Sequence, residues 1–65
     1  MDLREFNSLD LRLQAERTWE EGVLEGHWKS GSLDYVLYKL KSFFVEIAYD
    51  SNTEEVVQVK SFIYD

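Results

Sequence analysis

The spacing of hydrophobic positions divides the chain near residue 22. Residues 8–21 are good helix formers without glycine or proline, and the apolar side chains of Leu11, Ala15 and Trp19 recur at every fourth position. This spacing predicts one amphipathic helix whose apolar stripe faces the core. We expect Trp19 to anchor that stripe, with its indole N–H at the rim of the core.

The two ends of this helix differ in how clearly the sequence defines them. The sequence does not decide which residue begins the helix, because Asn7, Ser8 and Asp10 are all acceptable N-cap residues. The end is predicted at Gly22, a residue suited to a left-handed C-cap.

Beyond Gly22 the residues are β-branched and aromatic, and apolar and polar positions alternate with a period of two. Turn-forming residues interrupt the alternation at short intervals. The pattern predicts four strands, at residues 23–29, 33–40, 43–50 and 56–63. Links this short permit hairpins and exclude crossovers, so we expect an antiparallel meander of three or four strands. With one N-terminal helix packed on it, the fold class is α+β, and residues 1–65 form a single small domain.

Alternation also assigns the two faces of the predicted sheet. One face of the third strand is strongly apolar, and we expect it to be the core face. The predicted core positions are Phe43, Val45, Ile47 and Tyr49 on the third strand, Val36, Tyr38 and Leu40 on the second, and Val57, Val59, Ser61 and Ile63 on the fourth. The end of the chain, residues 63–65, is expected to fray.

The opposite face is more apolar than a solvated sheet face needs to be. It carries Tyr35, Leu37, Phe44, Ala48, Val56 and Phe62 around the charged Lys39, Glu46 and Lys60. Three interpretations stay open: the helix packs here or the side chains simply face water, a second copy covers the face, or the face forms a groove for another protein or a small ligand. The interaction residues we predict are Tyr35, Leu37, Phe44, Glu46 and Phe62.

Composition narrows the classes of partner. The chain has 65 residues, no cysteine and a net charge of −6, with the acidic residues spread along its length. This charge argues against binding to nucleic acid or to an anionic membrane surface. The lack of cysteine excludes disulfides and thiolate metal sites, and residues 1–6 lack the pattern of a signal peptide. We therefore expect a cytoplasmic protein.

Candidate chemistry is sparse. Glu25 and the only histidine, His27, stand two apart on a predicted strand, so both should project from one face. With Trp28 nearby, they define an alternative small-ligand or metal-binding site, although two ligands are at most half of a zinc site. Trp28 itself is expected in the core, with a binding role as the alternative. We predict no catalytic residues and no cofactor, because the chain has no thiol and no phosphate-binding loop.

Several segments together carry a resemblance to a known group of sequences. They are Trp19-Glu20-Glu21-Gly22, the stretch from Phe43 to Asp50, and the closing Val59-Lys60-Ser61-Phe62. With these segments the chain resembles short uncharacterised bacterial proteins of the Bacteroidetes kind, over roughly residues 6–62. The resemblance implies a helix followed by a β-meander, and it implies no activity or site. The sequence as a whole thus favours a non-catalytic interaction domain, either a homodimer or a binder of another protein.

Overall fold

The structure is a computed structural model that describes residues 1–63 of the chain. Two short helices, α1 (Leu3–Asn7) and α2 (Leu11–Glu21), precede four strands. The strands are β1 (Val23–Ser30), β2 (Leu33–Lys39), β3 (Phe44–Asp50) and β4 (Val56–Phe62). They form one open antiparallel sheet in the order β1-β2-β3-β4. The predicted α+β meander is confirmed, whereas the expected fraying of the chain end lies partly outside the described residues.

The N-terminal segment contains two helices where the apolar spacing predicted one. The Asp2 carboxylate caps α1 and forms a reciprocal capping box with Glu5. The Asp10 carboxylate then accepts a hydrogen bond from the Leu13 amide at 2.9 Å and begins α2. Of the three candidate N-caps, Asp10 is therefore the one used by the main helix. Ser8, the second candidate, instead ends α1 and donates its hydroxyl to the Glu5 carbonyl.

A partly buried hydrogen bond joins the two helices, and a second one lies beside it within α2. The Gln14 side-chain amide donates to the Phe6 carbonyl at 3.1 Å, and the buried Thr18 hydroxyl donates to the Gln14 carbonyl at 2.7 Å. The half-buried Gln14 amide and the buried Thr18 hydroxyl thus each have a hydrogen-bond partner. The connection holds Phe6, the only buried residue of α1, in place over the sheet.

The core lies between the helices and one face of the sheet, which we call the inner face. Phe6 packs on Phe43 with ring centroids 5.3 Å apart, and Val45 and Ile47 are fully buried beside them. Tyr38 and Leu40 also belong to this cluster of side chains. The core positions predicted on the second and third strands are therefore confirmed except for Val36, which lies outside the cluster, and the helices cover this face.

Both edge strands contain a β-bulge. In β1 the bulge lies between Leu24 and Gly26 and leaves Glu25 unpaired in the register. In β4, Gln58 pairs with Ala48 and Val56 with Tyr49, which leaves Val57 as the extra residue. The fourth-strand prediction is confirmed for Val59, which packs against the core, but it was wrong for Ile63, which is 62% exposed, and at the bulge, which places Val56 against the core and leaves Val57 48% exposed. One inserted residue reverses the alternation on which that prediction depended.

Trp19 does not anchor the core as the helical stripe predicted. The indole is 49% exposed, and its N–H donates to the Tyr49 hydroxyl at 2.7 Å. Leu11 is likewise exposed, whereas Ala15 and Thr18 are buried. The helix is rotated so that its small side chains face the sheet, which permits a close approach of the backbone.

Gly22 ends α2, although not in the left-handed conformation that was predicted. Its φ of −84° and ψ of 152° are extended. The residue is constrained by space: a Cβ atom here would lie 2.6 Å from the Thr18 carbonyl oxygen and 3.0 Å from the Tyr38 Cβ. The glycine therefore permits the chain to pass directly from the helix into β1.

Tyr38 makes stability depend on pH in the alkaline range. Its hydroxyl pKa is raised from 10.0 to about 12, first by burial and then by the adjacent Tyr49 hydroxyl, while Trp19 opposes the shift. Between pH 10 and 12 the folded chain keeps a proton that the unfolded chain releases, so stability falls as pH rises.

We expect urea unfolding of Tyr38→Phe to show a shallower decline across this window than the parent chain. The slope that Tyr38 contributes cannot exceed about 1.4 kcal/mol per pH unit, and solvent screening reduces it. Equal slopes in the two proteins would contradict the assignment to Tyr38.

Among the helices of residues 1–63, none is long and apolar enough to cross a membrane.

Candidate functional site

The face of the sheet turned away from the helices, which we call the outer face, contains three central cross-strand rows, and Ser30, Leu33 and Asp50 form a further row at one end. The first row is Val23, Lys39, Phe44 and Phe62. The middle row is Gly26, Leu37, Glu46 and Lys60, with the bulged Glu25 beside Gly26. The third row is Trp28, Tyr35, Ala48 and Gln58. All five predicted interaction residues lie on this face.

The first row is aromatic with a cation at one side. Phe44 and Phe62 are directly opposite each other, with stacked rings 5.9 Å apart. The Lys39 ammonium lies 6.0 Å from the centroid of the Phe44 ring, within reach of a cation–π interaction. This row therefore combines a rigid apolar surface with a positive charge.

The middle row contains charged side chains that are surrounded by apolar ones. Glu46 is half-buried and stands between Leu37 and Lys60, its register partners on the neighbouring strands. Glu25 adds a second carboxylate at the β1 side. The four charged side chains of the three rows, Glu25, Lys39, Glu46 and Lys60, balance to zero in a chain whose net charge is −6.

The third row pairs large side chains with a small one. Trp28 stacks on Tyr35 with centroids 5.7 Å apart and an interplanar angle of 9°. Trp28 is 43% exposed, so the expectation that it belongs to the core was wrong. Ala48 is nearly inaccessible at 2%, yet it lies on the outer face outside the core cluster.

A shallow groove of about 380 Å³ runs across the outer face. Its walls are Glu25, Trp28, Leu37, Phe44, Glu46 and Phe62. The groove thus joins Leu37, Phe44, Glu46 and Phe62 of the interaction prediction to two residues of the alternative ligand site. From the sequence the two groups were predicted to form separate sites, because a bulge at Glu25 is not visible in an alternating pattern.

His27 does not share a face with Glu25. The β1 bulge turns Glu25 toward the outer groove, whereas His27 pairs with Val36, which in turn pairs with the core residue Ile47. The predicted Glu25–His27 pair is therefore wrong as a geometric unit. Within residues 1–63, no three His, Cys, Asp or Glu side chains come together to hold a metal ion.

A second groove, of about 310 Å³, lies between α2 and the edge strand β4. Leu11, Ala15, Trp19 and Val56 form its apolar walls, and Arg12 and Glu16 border it. The last two residues form a salt bridge with 3.1 Å between their charged atoms, so their charges are already engaged. This groove was not predicted from the sequence, because Leu11 and Trp19 were expected to face the core.

Comparison of the chain with protein-family models, with curated protein sequences and with solved structures finds no match.

Proposed function

We propose that this chain is a non-catalytic interaction domain that pairs with a second copy of itself through the outer face. The observation that carries the proposal is the apolar outer face, which no helix of residues 1–63 covers. Half-buried Leu37, Tyr35 and Phe62 remain at this surface together with the exposed Trp28. A contiguous apolar surface of this kind is typical of interaction sites. The cysteine-free composition supports a cytoplasmic location.

Two properties favour a second copy as the partner. The core is small, since few side chains besides Phe6, Phe43, Val45 and Ile47 are fully buried, and a domain of this size gains stability by sharing apolar surface with another subunit. In the three central rows of the outer face, moreover, the two carboxylates and the two lysines balance. Two copies with a net charge of −6 each can therefore approach through this face without the repulsion that their other surfaces would produce.

A small ligand is the second candidate for the outer face. The observation that favours it is the convergence of two carboxylates, Glu25 and Glu46, with the rings of Trp28, Phe44 and Phe62 around one groove. Aromatic rings and carboxylates together suit an organic cation. This candidate requires the groove to be open in solution, so the oligomeric state decides between the two proposals.

Tyr35→Glu should convert the dimer into a monomer. Light scattering across a dilution series should give twice the 7.7 kDa chain mass for the parent at high concentration, and the chain mass for the variant. The new carboxylate would be buried in a row that offers no basic side chain. We expect the dissociation constant to rise about 100-fold.

The matched control is Val57→Glu, which adds the same charge at an exposed bulge position. Its mass should follow that of the parent, and circular dichroism should show that both variants stay folded. A parent chain that is monomeric at all concentrations contradicts self-association and favours the ligand. If Val57→Glu dissociated the dimer and Tyr35→Glu did not, the interface would instead lie at the β4 edge.

A further inference from the structure

We propose that the two copies pack face to face about a twofold axis that runs parallel to the strands, between β2 and β3. This inference rests on the proposed function and specifies its geometry. Sheets that pack face to face keep their strands within about 30° of each other. The axis places β1 over β4 of the second copy and β2 over β3 of the second copy. Each cross-strand row then faces the same row of its partner.

The middle row gives the strongest reason for this axis. Glu25 lies on the β1 side of one copy and faces Lys60 on β4 of the second copy, and the symmetry repeats the pair. Within one chain these two residues lie on opposite edge strands, three strand spacings or about 14 Å apart. They are therefore too far apart to form an ion pair within a chain, and they become partners only in the dimer.

The other two rows are complementary under the same axis. In the first row, Lys39 faces the Phe44 ring of the second copy, which adds an intermolecular cation–π contact. In the third row, the large Tyr35 side chain faces the small Ala48 of the second copy. Large against small side chains is the arrangement that lets two sheet faces interdigitate.

The competing axis runs across the strands through the middle row, and charge disfavours it. That axis would place Glu25 on Glu25, Glu46 on Glu46 and Lys60 on Lys60 of the second copy. Like charges in direct opposition oppose association. The distribution of charges along the middle row therefore selects the axis parallel to the strands.

The size of the face predicts a weak dimer. Four strands of about seven residues span about 19 Å by 23 Å, so two faces would cover on the order of 900 Å². This area lies at the lower end for specific interfaces, where association is transient. The experiments therefore need concentrations well above those used for tight dimers.

Two charge reversals, Glu25→Lys and Lys60→Glu, test this arrangement. Each single variant should have a dissociation constant at least about tenfold above that of the parent, because symmetry converts both ion pairs into like-charge pairs. The double variant restores opposite charges and should return to within about threefold of the parent. An equimolar mixture of the two single variants should form a heterodimer, since each pair then joins a lysine to a glutamate.

Glu55→Lys, in the loop before β4, is the control for net charge. It changes the total charge as Glu25→Lys does, and its dissociation constant should stay at or below that of the parent. Sedimentation equilibrium measures the dissociation constant of the parent chain and of each variant. A dimer that Tyr35→Glu dissociates, but that shows no rescue in the double variant and no heterodimer, would overturn the proposed axis and leave the proposed function standing. A parent chain that does not dimerise would overturn both.

Discussion

Replacing Phe6 with alanine should lower the free energy of unfolding by about 3–5 kcal/mol. Phe6 is completely buried, its ring packs on Phe43, and its carbonyl accepts the Gln14 amide that joins the two helices. A domain of this length has a total stability of about 3–10 kcal/mol. The loss is therefore comparable with the total stability of the domain. We expect circular dichroism at room temperature to show that the variant is largely unfolded.

Two further variants make this result interpretable. Phe6→Leu keeps most of the apolar volume and should remain folded, with a loss measurable by urea unfolding. Leu13→Ala removes an apolar side chain from the exposed surface of α2 and should change stability by no more than about 0.5 kcal/mol. Equal effects of Phe6→Ala and Leu13→Ala would show that α1 is not part of the cooperative core.

Gly22→Ala should destabilise the fold by about 1–3 kcal/mol, the usual penalty for overpacking. The added Cβ would lie 2.6 Å from the Thr18 carbonyl oxygen, a backbone atom that cannot move without disturbing the last turn of α2. The Tyr38 Cβ, at 3.0 Å, restricts movement from the other side. The backbone conformation at Gly22 suits any residue, so the whole penalty is steric.

Gly26→Ala provides the matched control for the space around Gly22. Its Cβ would meet only the Trp28 ring, at an ordinary contact distance of 3.9 Å. Because alanine also reduces the freedom of the unfolded chain, we expect this variant to be neutral or slightly stabilising in urea unfolding. Similar losses at Gly22 and Gly26 would indicate a general intolerance of alanine along this part of the chain rather than a specific clash.

The strand pattern could be predicted from the sequence because it depends on local signals. Each strand begins and ends within one residue of its predicted position, and the alternation on β3 identified Val45 and Ile47 as core residues. Turn residues such as Gly31, which adopts a φ of +61°, mark the hairpins directly. These features need no information about tertiary contacts.

The remaining features depend on contacts that a periodic pattern does not contain. A period of four residues cannot show that the apolar Trp19 is displaced to the rim while the polar Thr18 is buried, since the helix rotates to fit the sheet. Nor can alternation locate a bulge, and the bulge at Glu25 is what separates Glu25 from His27. The five interaction residues were placed on one face because they lie on β2, on β3 and on the part of β4 that follows its bulge, where alternation is undisturbed. Their role in self-association stays a prediction.

The two bulges also bear on how large an assembly can become. An open sheet presents unpaired backbone groups at both edges, and repeated edge pairing leads to fibres without a defined end. Here Glu25 interrupts one edge strand and Val57 the other, so neither offers an unbroken ladder for a further strand. Growth by strand addition is thereby disfavoured in both directions. An isologous contact between faces, by contrast, is complete with two copies, which favours a closed pair over an aggregate at high protein concentration.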